Sequence, residues 1–100
     1  MRARVLVNKQ LAGYLEKFNG GYRFLYVPGY LGAPVSLTMP ISRPEYIFDT
    51  FPPFFDGLLP EGAMLESLLK RAKLDRSDYF GQLLLVGGDL VGNVTVEREE

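Results

Sequence analysis

The chain has 100 residues, of which 47% are hydrophobic and 23% are charged, a balance typical of a single small globular domain. Its formal net charge is −1, and proteins that bind nucleic acids through phosphates usually carry a basic excess. Cys and His are both missing from the sequence, which excludes disulfides, thiolate or histidine catalysis, and metal sites built from these residues. We therefore expect a protein that is not an enzyme and that holds no cofactor or metal ion.

The sequence contains no segment typical of a membrane protein or a secreted protein. The longest apolar runs are short, such as residues 83–86, and none approaches the roughly 20 residues that span a bilayer. The N-terminal residues 1–5 lack the long apolar stretch of a secretory signal. We therefore expect a cytoplasmic protein that does not contact a membrane.

The first third of the chain has the alternating pattern of β-strands. Residues 2–8, 11–17 and 22–27 follow a period of two, with short turns between them. Residues 19–21, Asn-Gly-Gly, are the strongest turn signal, because Asn and Gly tolerate positive φ. The pattern predicts an antiparallel meander whose second strand carries, on one face, Leu11, Gly13 and Leu15.

The third predicted strand places three aromatic rings on one face, those of Tyr22, Phe24 and Tyr26. With Arg23 nearby, these rings could form a stacking platform for a single-stranded nucleic acid on a small barrel. They could instead be a sheet face that the rest of the chain buries. The nearly neutral charge of the chain favours the second interpretation.

The middle third is rich in proline and aromatic residues. Residues 35–39 are compatible with a further short strand, but the prolines at positions 40, 44, 52 and 53 prevent a long helix or a central strand. The aromatic residues between positions 46 and 55 form too large an apolar surface to remain in solvent. We expect them to pack over the sheet or against another chain.

Two helices and a final strand are predicted for the last third. The first helix begins at Pro60, which suits the first position of a helix. The second follows a cap at Asp75 or Ser77 and ends at the glycines 87–88. Residues 90–97 then form a strand that turns Val94 and Val96 inward. The apolar helix positions are Leu65, Leu68, Leu69 and Ala72 in the first helix, and Phe80, Leu83 and Leu84 in the second.

These elements predict one α+β domain over residues 1–100. It consists of a small antiparallel sheet or partly open barrel of about five strands, two helices in the second half of the chain, and an aromatic-rich irregular loop. The glycines at 87–92 follow a helix and lead into a strand. They therefore indicate a helix end, since a phosphate-binding loop would open a helix.

Residues 54–62 form the most distinctive segment, Phe-Phe-Asp-Gly-Leu-Leu-Pro-Glu-Gly. One interpretation is a short helix that leads into a longer one, with Phe and Leu side chains in the core. A second is a surface that binds another chain, extended by Met64, a flexible side chain suited to partner contacts. A third assigns Asp56 and Glu61 to acid–base catalysis, but the sequence offers no other group to complete such a site.

The order of these motifs resembles the N-terminal subdomain of the HipA family of serine/threonine kinase toxins. The segment at 54–62 is the specific part of the resemblance, and the other segments support it. The family often has Gly in the first hairpin turn, where this chain has Lys9. The matching segments run in the family order and cover nearly the whole chain: residues 5–8, 11–15, 22–26, 35–40, 54–62 and 88–94.

In HipA-like kinases this subdomain precedes the kinase domain, which holds the catalytic groups. As a separate chain, it is similar to the small HipS antitoxins of three-gene HipB–HipS–HipT systems. The resemblance implies an antitoxin that binds and neutralises the kinase toxin, HipT, in a complex with the helix-turn-helix DNA-binding protein HipB. The residues expected to bind the partner are Phe54, Phe55, Asp56, Gly57, Leu58, Leu59, Pro60, Glu61, Gly62, Met64 and Leu65.

Two other functions remain open at this point. The chain could be the regulatory or scaffolding N-terminal subdomain of an ordinary HipA-like kinase. It could also be a small barrel that binds single-stranded nucleic acid through the aromatic face of the third strand.

Overall fold

Five antiparallel strands form one open sheet in the order β4-β3-β2-β1-β5. The computed structural model describes residues 1–90 and 92–99. The predicted α+β class is therefore confirmed, with a sheet that has two free edges. The strands are β1 Arg2–Val7, β2 Gln10–Phe18, β3 Gly21–Tyr26, β4 Glu45–Phe48 and β5 Val94–Arg98.

Three helices accompany this sheet, and the first and third contribute side chains to the core on one of its faces. Helix α1, Pro53–Asp56, is a single turn, α2 spans Gly62–Ala72, and α3 spans Tyr79–Val86. A 3₁₀ turn, Gly87–Asp89, follows α3 directly. Across the described part of the chain, no helix has both the length and the hydropathy to cross a bilayer.

The core lies between the inner face of the sheet and the helices. Alternation holds in β1, where Ala3, Val5 and Val7 are buried, and in β5, where Val94 and Val96 turn inward as predicted. From the other side, large side chains of the helices and the preceding loop complete the apolar core. They are Phe51, Phe55, Phe80 and Leu83.

A β-bulge in β2 corrects the predicted arrangement of its side chains. Val5 lies opposite Gly13, but Leu6 lies opposite Leu11, so Ala12 is the extra residue. Ala12 is fully buried, and Leu11 lies on the outer face with Leu6 instead of sharing a face with Leu15. A strict period of two cannot anticipate this shift, because one inserted residue reverses the face of every residue beyond it.

The fourth strand is Glu45–Phe48, and the strand predicted at residues 35–39 does not form. The chain there makes a turn closed by a single bridge between Ser36 and Met39. The Tyr26 hydroxyl holds this turn, since it accepts a hydrogen bond from the Val35 N–H at 2.9 Å and donates one to the Met39 carbonyl. A side chain of the sheet thus satisfies backbone groups that a strand would have paired.

The helix boundaries also differ from the sequence prediction. Helix α2 begins at Gly62 instead of Pro60, because Glu61 directly before it is extended, with φ of −130° and ψ of 166°, so Pro60 cannot belong to the same helix. Helix α3 is capped by Asp78, whose carboxylate accepts a hydrogen bond from the Gly81 N–H at 2.9 Å, and not by Asp75 or Ser77.

The last strand starts later than residue 90, where the sequence analysis placed its beginning. Leu90 is extended but unpaired in the sheet, and Gly92 has a φ of +106°, which turns the chain before Val94. The part of the prediction that concerns Val91 lies outside the described residues.

The outer face of the sheet is covered by a row of alternating charges. Each strand contributes one member or, for β5, the residue that follows it. Arg2 pairs with Glu99 at 2.6 Å and with Glu16 at 3.4 Å, and Arg23 pairs with Glu16 and with Glu45. The hydrogen bond from Arg2 lowers the pKa of Glu99. The charges of this face therefore neutralise one another.

The first hairpin turn yields a prediction about stability. Asn8 and Lys9 connect β1 to β2 with φ values of +51° and +67°. The left-handed region costs a non-glycine residue about 1–2 kcal/mol, and the greater freedom of Gly in the unfolded chain offsets part of the gain. We expect Lys9→Gly to raise the free energy of unfolding by about 0.5–1 kcal/mol in urea denaturation. Lys17→Gly, in a strand without positive φ, is the control and should lower it.

A second prediction concerns the Tyr26 hydroxyl. Burial raises its pKa in the folded protein, whereas an unfolded tyrosine has its ordinary pKa of about 10. The folded chain therefore holds this proton more tightly, and the free energy of unfolding falls as the pH rises above 10. Tyr26→Phe should remove this contribution to the pH slope. It should also cost about 2–3 kcal/mol at neutral pH, because the Val35 N–H and the Met39 carbonyl lose their partner.

Urea denaturation between pH 7 and 11 measures both effects of Tyr26→Phe. Tyr14→Phe is the matched control, since Tyr14 lies half-exposed on the outer face. An equal loss of stability in the two variants at pH 7 would contradict the assigned role of the Tyr26 hydroxyl.

Candidate protein-binding surface

One side chain of the segment at 54–65 is anchored in the core, and this anchor determines the position of the other residues of the segment. Phe55 is fully buried, and its ring centroid lies 6.1 Å from that of Phe24 on β3 and 5.2 Å from that of Phe54. Pro52 precedes α1 and is buried as well, so the chain enters this turn from the core. The short helix predicted here is thus present, and it positions everything that follows up to α2.

The sequence-predicted site residues differ in how much of each side chain is exposed to solvent. Phe55 is the member that the core takes up, and its side chain does not reach the surface. The exposed members are Asp56, Gly57, Glu61, Gly62 and Met64, and the half-buried ones are Phe54, Leu58, Leu59, Pro60 and Leu65.

Two depressions flank the start of α2. The larger, which we call the α2–α3 groove, has a volume of about 560 Å³ and lies between α2 and the C-terminal end of α3. Of the sequence-predicted residues, Leu58, Pro60 and Met64 line it. The structure adds residues that the sequence analysis did not assign: Leu68, Arg71, Ala72, Leu85, Val86, Asp89 and Leu90.

The smaller depression, of about 220 Å³, lies on the other side of α2. Asp56 and Glu61 both line it, together with Leu65 and Arg76. Arg76 is paired with Glu66 on α2. Both candidate carboxylates are exposed to solvent, whereas acid–base catalysis relies on groups held in a site that excludes water. In residues 1–90 and 92–99, no cluster of three or more acidic side chains suits a metal ion.

Helix α2 rests on the domain without entering its core. No residue of α2 is buried, although Leu65, Leu68, Leu69 and Ala72 form the predicted apolar face and are half-buried. Met64 lies one turn before Leu68 on the groove side, and 73% of its surface is exposed. The helix therefore offers part of its apolar surface for a further contact.

The position of α2 is fixed through the connection to α3. The Gln82 side chain is buried and donates hydrogen bonds to the carbonyl oxygens of Asp75 at 3.3 Å and Arg76 at 3.1 Å. These bonds hold the chain between the two helices against α3. Together with the half-buried leucines of α2, they help to hold α2 beside α3.

The exposure of Leu85 has a signal in the sequence around it. Residues 83–86 are four consecutive apolar positions, more than one face of a helix can bury. Leu83 is fully buried, so Leu85 points away from the core and is 49% exposed in the groove. Arg71 and Asp89 carried no such signal, because only the tertiary arrangement of α2 and the 3₁₀ turn brings them to one groove.

The aromatic face of β3 does not form a stacking platform. Phe24 is fully buried and Tyr26 nearly so, while the Tyr22 ring packs edge-on against Phe51 with centroids 5.2 Å apart. Arg23 lies on the opposite face, between Glu16 and Glu45. Bases could not stack on these rings without opening the core, which removes the main support for binding single-stranded nucleic acid.

The segment at 54–65 combines a buried anchor with exposed side chains, and a pair of substitutions tests this division. Phe55→Ala removes a fully buried ring and should lower the free energy of unfolding by about 3–5 kcal/mol. Met64→Ala, at an exposed position of the same segment, should change it by less than about 0.5 kcal/mol. Urea denaturation followed by far-UV circular dichroism measures both. Similar values for the two variants would contradict the anchoring role of Phe55.

Comparisons with known proteins agree with this architecture. A family model described as HipA N-terminal domain matches residues 3–97. An uncharacterized protein of Haemophilus influenzae is 33% identical over 97 residues, which cover 97% of this chain and 92% of that protein. A putative kinase of Sinorhizobium fredii, Y4dM, is 47% identical over 49 residues, which are 12% of its length.

A solved structure gives the same result at the level of the fold. The N-terminal domain of HipA toxin superposes with a TM-score of 0.79 at 32% identity, covering 99% of this chain and 92% of that one. The family model covers residues 3–97, nearly the whole chain, as the resemblance in the sequence implies. The chain therefore belongs to the HipA N-terminal domain family.

Proposed function

We propose that this chain is an antitoxin that binds a HipA-like serine/threonine kinase toxin as a separate chain and neutralises it. The observation that carries the proposal is the contrast between two relatives. The matched unit makes up 92% of the Haemophilus influenzae protein, whereas the match covers 12% of the putative kinase Y4dM. About half of this chain matches part of a putative kinase in one case, and nearly the whole chain matches nearly a whole protein in the other, and such a unit is suited to associate non-covalently with a kinase of that kind.

The proposed contact is the surface around residues 54–65 and the adjoining α2–α3 groove. Interfaces combine an apolar centre with a polar rim, and this surface has both, with Leu58 and Met64 in the groove and Asp56 and Glu61 beside it. The outer face of the sheet is less suited to the contact, because its Arg and Glu side chains are already paired with one another.

Docking would neutralise the kinase by one of two physical routes. The chain either obstructs substrate approach beside the active-site cleft or holds the kinase in an inactive arrangement. The second route requires that the chain binds the inactive arrangement more tightly than the active one, because only differential affinity shifts an equilibrium. By resemblance, the kinase is of the HipT type, the complex includes the DNA-binding protein HipB, and it assembles in the cytoplasm. This chain contacts neither nucleic acid nor membrane directly.

Co-expression with a HipA-like kinase from the same genome tests this proposal. We expect the two chains to purify together, growth to recover when this chain is induced, and kinase autophosphorylation to fall as the chain approaches a one-to-one ratio. An unrelated domain of similar size is the control for expression load. Failure of the wild-type chain to bind any such kinase would overturn the proposal.

The match to a putative kinase favours one alternative, a scaffolding subdomain that supports a HipA-like kinase without inhibiting it. The same experiment separates the two functions. A complex in which the kinase stays active and growth does not recover identifies a scaffold, whereas a complex with a silent kinase identifies an antitoxin.

A further inference from the structure

We infer that the α2–α3 groove receives an amphipathic helix of the kinase, with an acidic side chain of that helix facing Arg71 and a basic one facing Asp89. The inference rests on the proposed function and names the element of the partner that binds. It follows from the shape of the groove, from its apolar lining and from two charges on its walls.

The shape of the groove matches a helix better than an extended peptide. Met64, Leu68 and Ala72 line one wall at positions i, i+4 and i+8, so this wall follows a single row along α2. The row runs from residue 64 to residue 72, or about 12 Å, which is a little over two turns of a helix. Such rows form the ridges and grooves in which a second helix packs. Most of the lining residues lie in α2, α3 or the 3₁₀ turn, where the backbone groups pair within each helix, so the groove offers an extended strand few main-chain partners.

The lining of the groove leaves apolar surface in solvent that a helix would cover. Met64 is 73% exposed and Leu85, on the opposite wall, is 49% exposed, although both border the same groove. A helix with apolar side chains at i, i+4 and i+7 would cover Met64 and Leu85 together and give α2 a neighbour on its free side.

Charges on the two walls specify the direction of the bound helix. Arg71 lies on α2, and Asp89 lies in the 3₁₀ turn after α3. Over the described ranges, 1–90 and 92–99, neither forms an ion pair, in contrast to the Arg and Glu side chains of the outer sheet face. Opposite charges on opposite walls favour one orientation of a helix that carries the complementary pair and disfavour the reverse.

Two groove variants and a matched control test the apolar part of the inference. Leu85→Glu and Met64→Glu each place a charge in the groove, and Met64→Glu keeps the test valid if the first variant folds poorly. Leu37→Glu is the control, since Leu37 is 94% exposed and lies outside the groove. The probe is the purified HipA-like kinase, with affinity measured by isothermal titration calorimetry. We expect each groove variant to bind about 30-fold or more weakly and the control to bind within about 2-fold of wild type.

Charge reversal tests the orientation. Arg71→Glu and Asp89→Lys should each weaken binding by about 5-fold or more at low salt, with a smaller effect at high salt. Lys17→Glu, on β2 and outside the groove, should leave the affinity within about 2-fold of wild type. Hydrogen–deuterium exchange of the kinase, with and without this chain, identifies the protected segment, which should be helical and carry the acidic and basic side chains.

The outcomes separate this inference from the proposed function. A kinase that binds the groove variants as tightly as the control overturns the inference alone, as does protection confined to a strand or loop of the kinase. Self-association of this chain that Leu85→Glu abolishes, with kinase binding intact, assigns the groove to a second copy and also overturns it. A kinase that does not bind the wild-type chain overturns both proposals.

Discussion

The burial of aromatic side chains on one face of the sheet is the constraint on which the rest of the structure depends. A five-stranded open sheet has two faces, and in this chain one is apolar and the other is charged. The apolar face must be covered by the same chain, and residues 49–60 do so with Phe51 and Phe55. That path determines where α1 ends and where α2 begins. The position of the α2–α3 groove is thus a consequence of how the sheet is covered.

The sequence predicted the elements whose formation depends on neighbouring residues. The prediction failed where a residue of another element, or one inserted residue, decides the structure. Alternation identified β1, β3 and β5, and helical spacing identified the apolar face of α2. The short strand considered at residues 35–39 does not form because the hydroxyl of Tyr26, on the neighbouring strand β3, satisfies the backbone at Val35 and Met39. The face of Leu11 was wrong because a bulge has no signature in the period of two.

The candidate site shows the same division. The segment at 54–65 could be singled out from its composition, and the structure places most of it at the surface. Its most buried member, Phe55, belongs to the core, and no local pattern distinguishes it from its neighbour Phe54. The residues of the facing wall come from more than 20 positions further along the chain, and Asp89 shares the groove with Arg71 only through the packing of α3. Of the groove lining, sequence reasoning therefore singled out Leu58, Pro60 and Met64 and missed the facing wall.

The buried side chain of Gln82 has a consequence for how such a surface can change. Its hydrogen bonds hold the linker between α2 and α3 in position, and Gln82 itself does not line the α2–α3 groove. The spacing of the walls is thus set separately from the chemistry of the side chains that face a partner. Substitutions at Met64, Leu68 or Leu85 can alter which helix is accepted while the width remains the same. Loss of the Gln82 amide would instead alter the width of the groove, while the identity of every residue that lines it would stay the same.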